Sequence, residues 1–304
     1  MRPCVFLDRD DTLVECTALP PPPPPARPGD LVDPARVRLL PGVGEGLSRL
    51  AAGGFALVVI SNQGSVARGG ATLADVERVN DRLRDLVRAD AGVELDAVYV
   101  CPFHPDPFGS AKNAPGPGEA GTNAPAPVAR FHAEHDWRKP APGMILAAAR
   151  ELGLDLGGSW LIGDAPRDVE SGRRAGLAPH RCLRIGEGAD APDLAGAADI
   201  VLGAHDIGEV IASGGEVCTV LMHALDAAAL ADERVRGTVL ASARSVADRA
   251  GVRVLHAEIE GGALIVTLAA GRLAGLGLLG EVRTITDRWR ASRGEGPLWR
   301  GAHD

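Results

Sequence analysis

The chain has 304 residues, 45% hydrophobic and 24% charged, the balance of a globular protein long enough for one large or two modest domains. A formal net charge of −8 and only 3% aromatic residues leave little to neutralise phosphate backbones or stack on bases, so no nucleic acid partner is expected. Of the 32 basic residues only Lys112 and Lys139 are lysines, so a lysine is an exception to the habit of this chain.

The opening MRPCVFLDRD runs from apolar residues straight into acidic ones, unlike a secretory leader, which points to the cytoplasm. The five cysteines (Cys4, Cys16, Cys101, Cys182, Cys218) form no CxxC pair and suit reduced thiols better than a disulfide framework.

Residues 3–7 (PCVFL) form the first short apolar run, and 55–60 (FALVVI), 97–100 (AVYV), 159–163 (SWLIG) and 182–185 (CLRI) follow. Each reads as a buried strand. Between them, Val43, Leu47 and Leu50, then Val76, Val79, Leu83, Leu86 and Val87, then Ile145, Leu146, Ala149 and Leu152 recur at helical spacing. The alternation predicts an α/β fold, a Rossmann-like parallel sheet with helices on both faces. In such a sheet ligands bind beyond the carboxyl ends of the strands.

Two segments break the rhythm: the prolines at 20–25 predict a stiff polyproline II stretch, and residues 105–130, rich in Pro, Gly and Ala, predict a loop. The run 198–211 closes a first domain over 1–213, and Ser213, Gly214 and Gly215 read as a linker. Residues 216–304 predict a small α+β module: a helix over about 217–249, a strand over 252–259, a Gly261-Gly262 turn, a strand over 263–269, and a helix with Leu278, Val282, Ile285 and Trp289 on one face. The apolar stretch 263–280, interrupted by Arg272, fits that strand and helix rather than a membrane span. The module holds no catalytic cluster, and dimerisation or docking is its expected role.

Polar residues follow the predicted strands: Asp8-Arg9-Asp10-Asp11-Thr12 after the first, Ser61-Asn62-Gln63 after the second, Arg138-Lys139-Pro140 between later elements, and Asp164-Ala165-Pro166-Arg167-Asp168 after the fourth. Singly, each fits a turn or a helix cap. Jointly they bring carboxylates, a hydroxyl and an ammonium to one sheet edge.

This order resembles the haloacid dehalogenase superfamily of aspartate-nucleophile phosphatases. FLDRDDTL (6–13), SNQGSVARG (61–69), CPFHP (101–105) and WRKPAPGM (137–144) are similar to the branch holding the D-glycero-D-manno-heptose 1,7-bisphosphate phosphatases and their histidinol-phosphate phosphatase relatives. The resemblance covers residues 1–212. It implies a Mg²⁺-dependent phosphatase without a large cap, acting on a small phosphorylated metabolite, a sugar bisphosphate first and histidinol phosphate as the alternative. A binding or assembly protein that works through its C-terminal module is the reading from another class.

The resemblance further implies that Asp8 attacks phosphorus and becomes an aspartyl phosphate. A side-chain oxygen of Asp8, the backbone carbonyl of Asp10 and Asp164 would hold the metal, with Asp168 supporting that shell. Asp10 would act as general acid and base, Ser61 would bind phosphoryl oxygens, and Lys139 would place a compact positive charge on nucleophile and phosphate. Asn62, Gln63, Arg68 and Arg138 are the candidates to contact the rest of the substrate.

Three departures from the family pattern stand out. Asp11 replaces a usual glycine, adding a charge beside the metal, and Ala165 replaces a basic residue, which removes one phosphate contact. The family's zinc-holding cysteines survive only as Cys101. Cys101, His104, His132 and His135 form a substitute donor set of the right chemistry for zinc, but a metal-free loop is the favoured expectation.

Overall fold

The computed structural model describes residues 1–22, 26–106, 128–212 and 215–300, with side chains of 206–212 excepted. Lys112, residues 23–25 of the proline run, 107–127 of the long loop and residues 213–214 of the expected linker lie outside the described residues. The chain forms two compact units, Met1–Val201 and Leu202–Asp304.

The first unit contains β1 (Arg2–Leu7), α1 (Val43–Ala52), β2 (Ala56–Asn62), α2 (Ser65–Arg68), α3 (Leu73–Ala91), β3 (Ala97–Cys101), α4 (Gly143–Leu152), β4 (Leu154–Gly163), α5 (Pro166–Arg174) and β5 (Cys182–Arg184). The strands pair in parallel in the order β3-β2-β1-β4-β5, so β1 is central. α6 (Leu194–Ala212) follows and crosses the boundary between the units.

Alternation along the strands sorts side chains to the two faces of the sheet. Cys4, Phe6, Val58, Ile60 and Leu161 join Met144, Ile145 and Ala148 of α4 in one buried cluster. Val5, Leu7, Leu57 and Val59, at the alternate positions, are equally buried, and α1 packs on β2 and on α3. Helix α3 starts from a capping box, in which the Thr72 hydroxyl accepts from the Asp75 N–H and the Asp75 carboxylate accepts from the Thr72 N–H. β4 begins earlier than its apolar run. Its entry carries an irregularity opposite Pro3–Val5, where the Asp155 carboxylate accepts from the N–H groups of Gly157 and Gly158.

The second unit departs from the expected helix over 217–249. Residues Cys218–His223 form β6, and the helix, α7 (Glu233–Arg249), starts only at the N-cap Asp232, whose carboxylate accepts from the Val235 N–H. The apolar positions 220–222 suit helix and strand alike, and pairing with β8 decides between them. β7 (Val254–Glu260), β8 (Ala263–Leu268) and α8 (Arg272–Ala291) complete an antiparallel sheet of order β6-β8-β7. Leu264, Val266 and Leu268 of β8 pack with Val239 and Ala243 of α7, Leu278 and Val282 of α8, and Trp299. Among the described residues, no helix is long and apolar enough to cross a membrane.

Leu161 is fully buried on β4 beside the central strand, so Leu161→Ala should lower stability by about 2–5 kcal/mol, measured as a shift of the urea midpoint followed by tryptophan fluorescence. A loss below about 1 kcal/mol would mean that this face is not the sealed core described.

Candidate active site

The parallel register brings the carboxyl ends of β1, β2 and β4 level: Leu7 lies beside Val59 and Ile162, and the Asp8 N–H donates to the Ile162 carbonyl at 3.0 Å. Asp8, Ser61 and Lys139 are buried at this edge, and Asp168 is wholly enclosed. Gly163 permits the approach of α5, since a Cβ there would stand 2.5 Å from the Cβ of Asp168.

Lys139 is the hub. Its Nζ donates to Asp8 Oδ1 at 2.5 Å and to the Ile60 carbonyl at 2.9 Å, and lies 2.8 Å from Asp168 Oδ1. Burial works against its charge, yet Asp8 and Asp168 hold its pKa above the ordinary lysine value. The loop that carries it is clamped by Asn62, whose amide donates to the Lys139 carbonyl and accepts from the Lys139 N–H, both at 3.0 Å. Both ends of that amide thus bond backbone, at the wall of the cavity described below.

Carboxylate oxygens of Asp8, Asp164 and Asp168 lie within 4.8 Å of one another, the one such group of metal-binding side chains among the described residues. Burial pushes the Asp8 carboxyl up to about 7, with Lys139 opposing the rise and Asp168 adding to it. Burial, then Asp168, raises Asp164, whose Oδ1 is enclosed with no hydrogen-bond partner. When all three are ionised the carboxylates outnumber the one ammonium that pairs with Asp8 and Asp168, and the Asp164 Oδ1 among them has no hydrogen-bond partner. Hard oxygen donors with that deficit fit a divalent cation such as Mg²⁺.

Asp10 sits in a different field. Its Oδ1 accepts from Arg9 Nε and Nη2 at 2.9 and 2.8 Å and from the Cys16 thiol at 3.1 Å, and its Oδ2 accepts from Gln63 Nε2 at 2.8 Å and Ser61 Oγ at 3.2 Å. Burial raises its pKa, but Arg9 and these bonds outweigh that and hold it below the ordinary carboxylate value. The side chain of Asp10 is not in the group of Asp8, Asp164 and Asp168.

Asp11 adopts φ 57°, the left-handed region that a glycine usually fills. Its carboxylate accepts from the N–H groups of Cys16 and Thr17 and from the Thr17 hydroxyl, so the extra charge expected beside the metal is turned onto its own loop.

The four candidate zinc donors have other neighbours. Cys101 Sγ is 4.0 Å from the Phe103 carbonyl, His104 Nδ1 accepts from the Asp106 N–H, His132 Nε2 is 2.9 Å from the Ala67 carbonyl, and His135 stacks on Phe103.

A cavity of about 350 Å³ opens in front of Asp10, lined among others by Asn62, Gln63, Arg68, Arg138 and Arg167. Sequence reasoning passed over Arg9, Asn80, Cys16 and Arg167. Arg9 is fully buried, with Nη1 on Asn80 Oδ1 at 2.9 Å, and a lone asparagine on the apolar stripe of α3 was the available signal.

Residues 136–200 match the HAD-hydrolase-like family model. A D-glycero-beta-D-manno-heptose-1,7-bisphosphate 7-phosphatase of Yersinia pestis is 32% identical over 200 residues, covering 66% of this chain and 89% of the relative. The D-glycero-D-manno-heptose-1,7-bisphosphate 7-phosphatase of Thermosynechococcus vestitus is 34% identical over 58% of this chain and 76% of the relative. A crystal structure of a HAD-like phosphatase from Mesorhizobium loti is 30% identical with a TM-score of 0.50, covering 66% of this chain and 84% of its own.

The compact Lys139 ammonium hydrogen-bonds Asp8 and the Ile60 carbonyl and ion-pairs with Asp168, a buried set that the larger planar guanidinium does not reproduce. Lys139→Arg should therefore lose most of any phosphatase activity, by about a hundredfold or more in kcat, with the circular dichroism spectrum retained. Near-normal turnover would remove Lys139 from the centre of the site.

Proposed function

The chain belongs to the haloacid dehalogenase-like hydrolases and is a phosphatase of phosphate monoesters, and we propose that it is a Mg²⁺-dependent enzyme acting on a small sugar bisphosphate through an aspartyl-phosphate intermediate. D-glycero-D-manno-heptose 1,7-bisphosphate, the substrate in the names of the relatives, is the first candidate, with loss of the 7-phosphate. The observation that carries this reading is the cluster of Asp8, half-buried Asp164 and Asp168, two of whose carboxylates pair with the buried Lys139 ammonium.

When bound, Mg²⁺ would be held by Asp8, Asp164 and the Asp10 carbonyl, and would screen the charge between a carboxylate nucleophile and an anionic ester. Asp8 attacks phosphorus, forming an acyl-phosphate bond while the ester P–O bond breaks. Lys139 fixes the Asp8 carboxylate and supplies positive charge where charge builds up on the phosphoryl oxygens. Asp10 gives its proton to the departing alkoxide and later takes one from the water that hydrolyses the intermediate. Arg9 favours the ionised form of Asp10, the form the second half-reaction needs. An arriving phosphate dianion works in the opposite direction, favouring the protonated form needed first.

Asn62 holds the Lys139 loop, and Gln63 holds Asp10 together with Ser61. Arg68 and Arg138 line the cavity into which the leaving group extends. For residues 216–304 the proposed role is assembly rather than chemistry.

Phosphate release from a panel holding heptose 1,7-bisphosphate and histidinol phosphate, with Mg²⁺ or with a chelator, tests the reading. Activity should be highest on the bisphosphate and vanish with the chelator, and Asp8→Asn should abolish it while leaving the thermal melt within a few degrees. Persistent turnover by Asp8→Asn would rule out the assigned nucleophile.

A further inference from the structure

A bisphosphate presents a second dianion that does not react, and one wall of the cavity is built for such a group. Arg68 and Arg138 converge over Gly64: a Cβ at that glycine would stand 3.1 Å from Arg68 Nη1 and 3.6 Å from Arg138 Nη1. Arg68 is ion-paired to Asp30 through Nη2 at 2.6 Å, yet its Nε is buried without a partner. Arg138 donates through Nη1 to the Phe103 carbonyl, and no carboxylate pairs with it among the described residues.

The third guanidinium is Arg167, in the first turn of α5 and exposed at the cavity wall. Among the described residues it makes no hydrogen bond or ion pair. It nevertheless lies near enough to the others for its charge, after burial, to help depress the pKa of Arg138. A cation in the first turn opposes the helix macrodipole, so this arginine does nothing for the stability of α5.

We propose that Arg167 is a specificity-determining residue that, with Arg68 and Arg138, holds the non-reacting phosphate of the substrate. With Arg68 offset by Asp30, the guanidiniums of Arg138 and Arg167 match the charge of one phosphate dianion, and each offers a planar fork of donors to its oxygens. The inference rests on the bisphosphate reading of the substrate. A role confined to softening the acidic trio around Asp164 would make a different demand, since it would act on every phosphate ester alike.

The test compares kcat/KM of the full-length Mg²⁺-loaded enzyme on heptose 1,7-bisphosphate and on heptose 7-phosphate, which lacks the second phosphate. Arg167→Ala should lower the preference for the bisphosphate by about tenfold or more, mainly through KM. Arg167→Lys should recover part of it, because a point charge keeps the attraction but not the fork, and Arg167→Glu should lower it further. A preference that stays within about twofold in Arg167→Ala, or an equal loss on both substrates, overturns the role of Arg167 while leaving the substrate reading intact. A wild-type enzyme with no preference for the bisphosphate overturns the substrate reading and this inference with it.

Discussion

The buried ammonium of Lys139 is the constraint on which the site depends. One nitrogen touches the residue after β1, the backbone of β2 and the carboxylate in the first turn of α5, so three separate stretches of chain meet on it. A buried charge is tolerated only when its partners are complete, and removing any one would leave opposite charges enclosed without compensation. The Asn62 clamp fixes the loop from which Lys139 reaches inward, and the parallel register of β1, β2 and β4 sets the heights of the groups it must reach. Fold and chemistry are thus joined at one point.

Around that point the protein keeps two carboxylates of one short loop in opposite electrical surroundings. Burial lifts Asp8 to about 7, while Arg9, Cys16 and Gln63 hold Asp10 low in spite of burial. These directions are the reverse of what a nucleophile and a proton donor need at rest, so positive charge arriving beside Asp8 and a phosphate dianion arriving beside Asp10 are what would bring each to its working form. The difference comes from the neighbours: the carboxylates of Asp164 and Asp168 lie beside Asp8, and a guanidinium pairs with Asp10. Asp11, one residue on, belongs to neither set. It spends its charge on closing its own loop, which is how an aspartate occupies a left-handed position usually given to glycine.

The parallel sheet was legible because its inner strands are buried on both faces and therefore read as unbroken apolar runs, PCVFL and FALVVI among them, whereas the edge strand β3, also an apolar run, is half-buried except at Cys101. The acidic trio and Lys139 were legible because each directly follows or precedes such a run or a helical pattern. Arg9 was hidden for the opposite reason: a fully buried arginine contradicts the expectation of exposure until its partners, Asp10 next door and Asn80 far along the chain, are known. Asn62 does line the cavity, as its place after the second strand suggests, but nothing in a sequence shows the two-point clamp between residues 62 and 139. Residues 218–223 read as helix in the sequence because six residues on the edge of a three-stranded sheet carry too little pattern to separate the two periods.

Asp168 works in two directions at once, one oxygen beside Lys139 and the other accepting from the Ala165 N–H at the start of α5. The position of that helix is therefore wired to the charge of the reaction centre. An enzyme built this way has little room to acquire new substrates by shifting α5, because a drift that widened the cavity would also unbalance Lys139. Change is cheaper in the side chains that face the cavity from elsewhere, at residues 28–31, 64, 65 and 68, to which neither Lys139 nor Asp10 is hydrogen-bonded. The lineage of such a protein should diversify along that rim and hold α5 still.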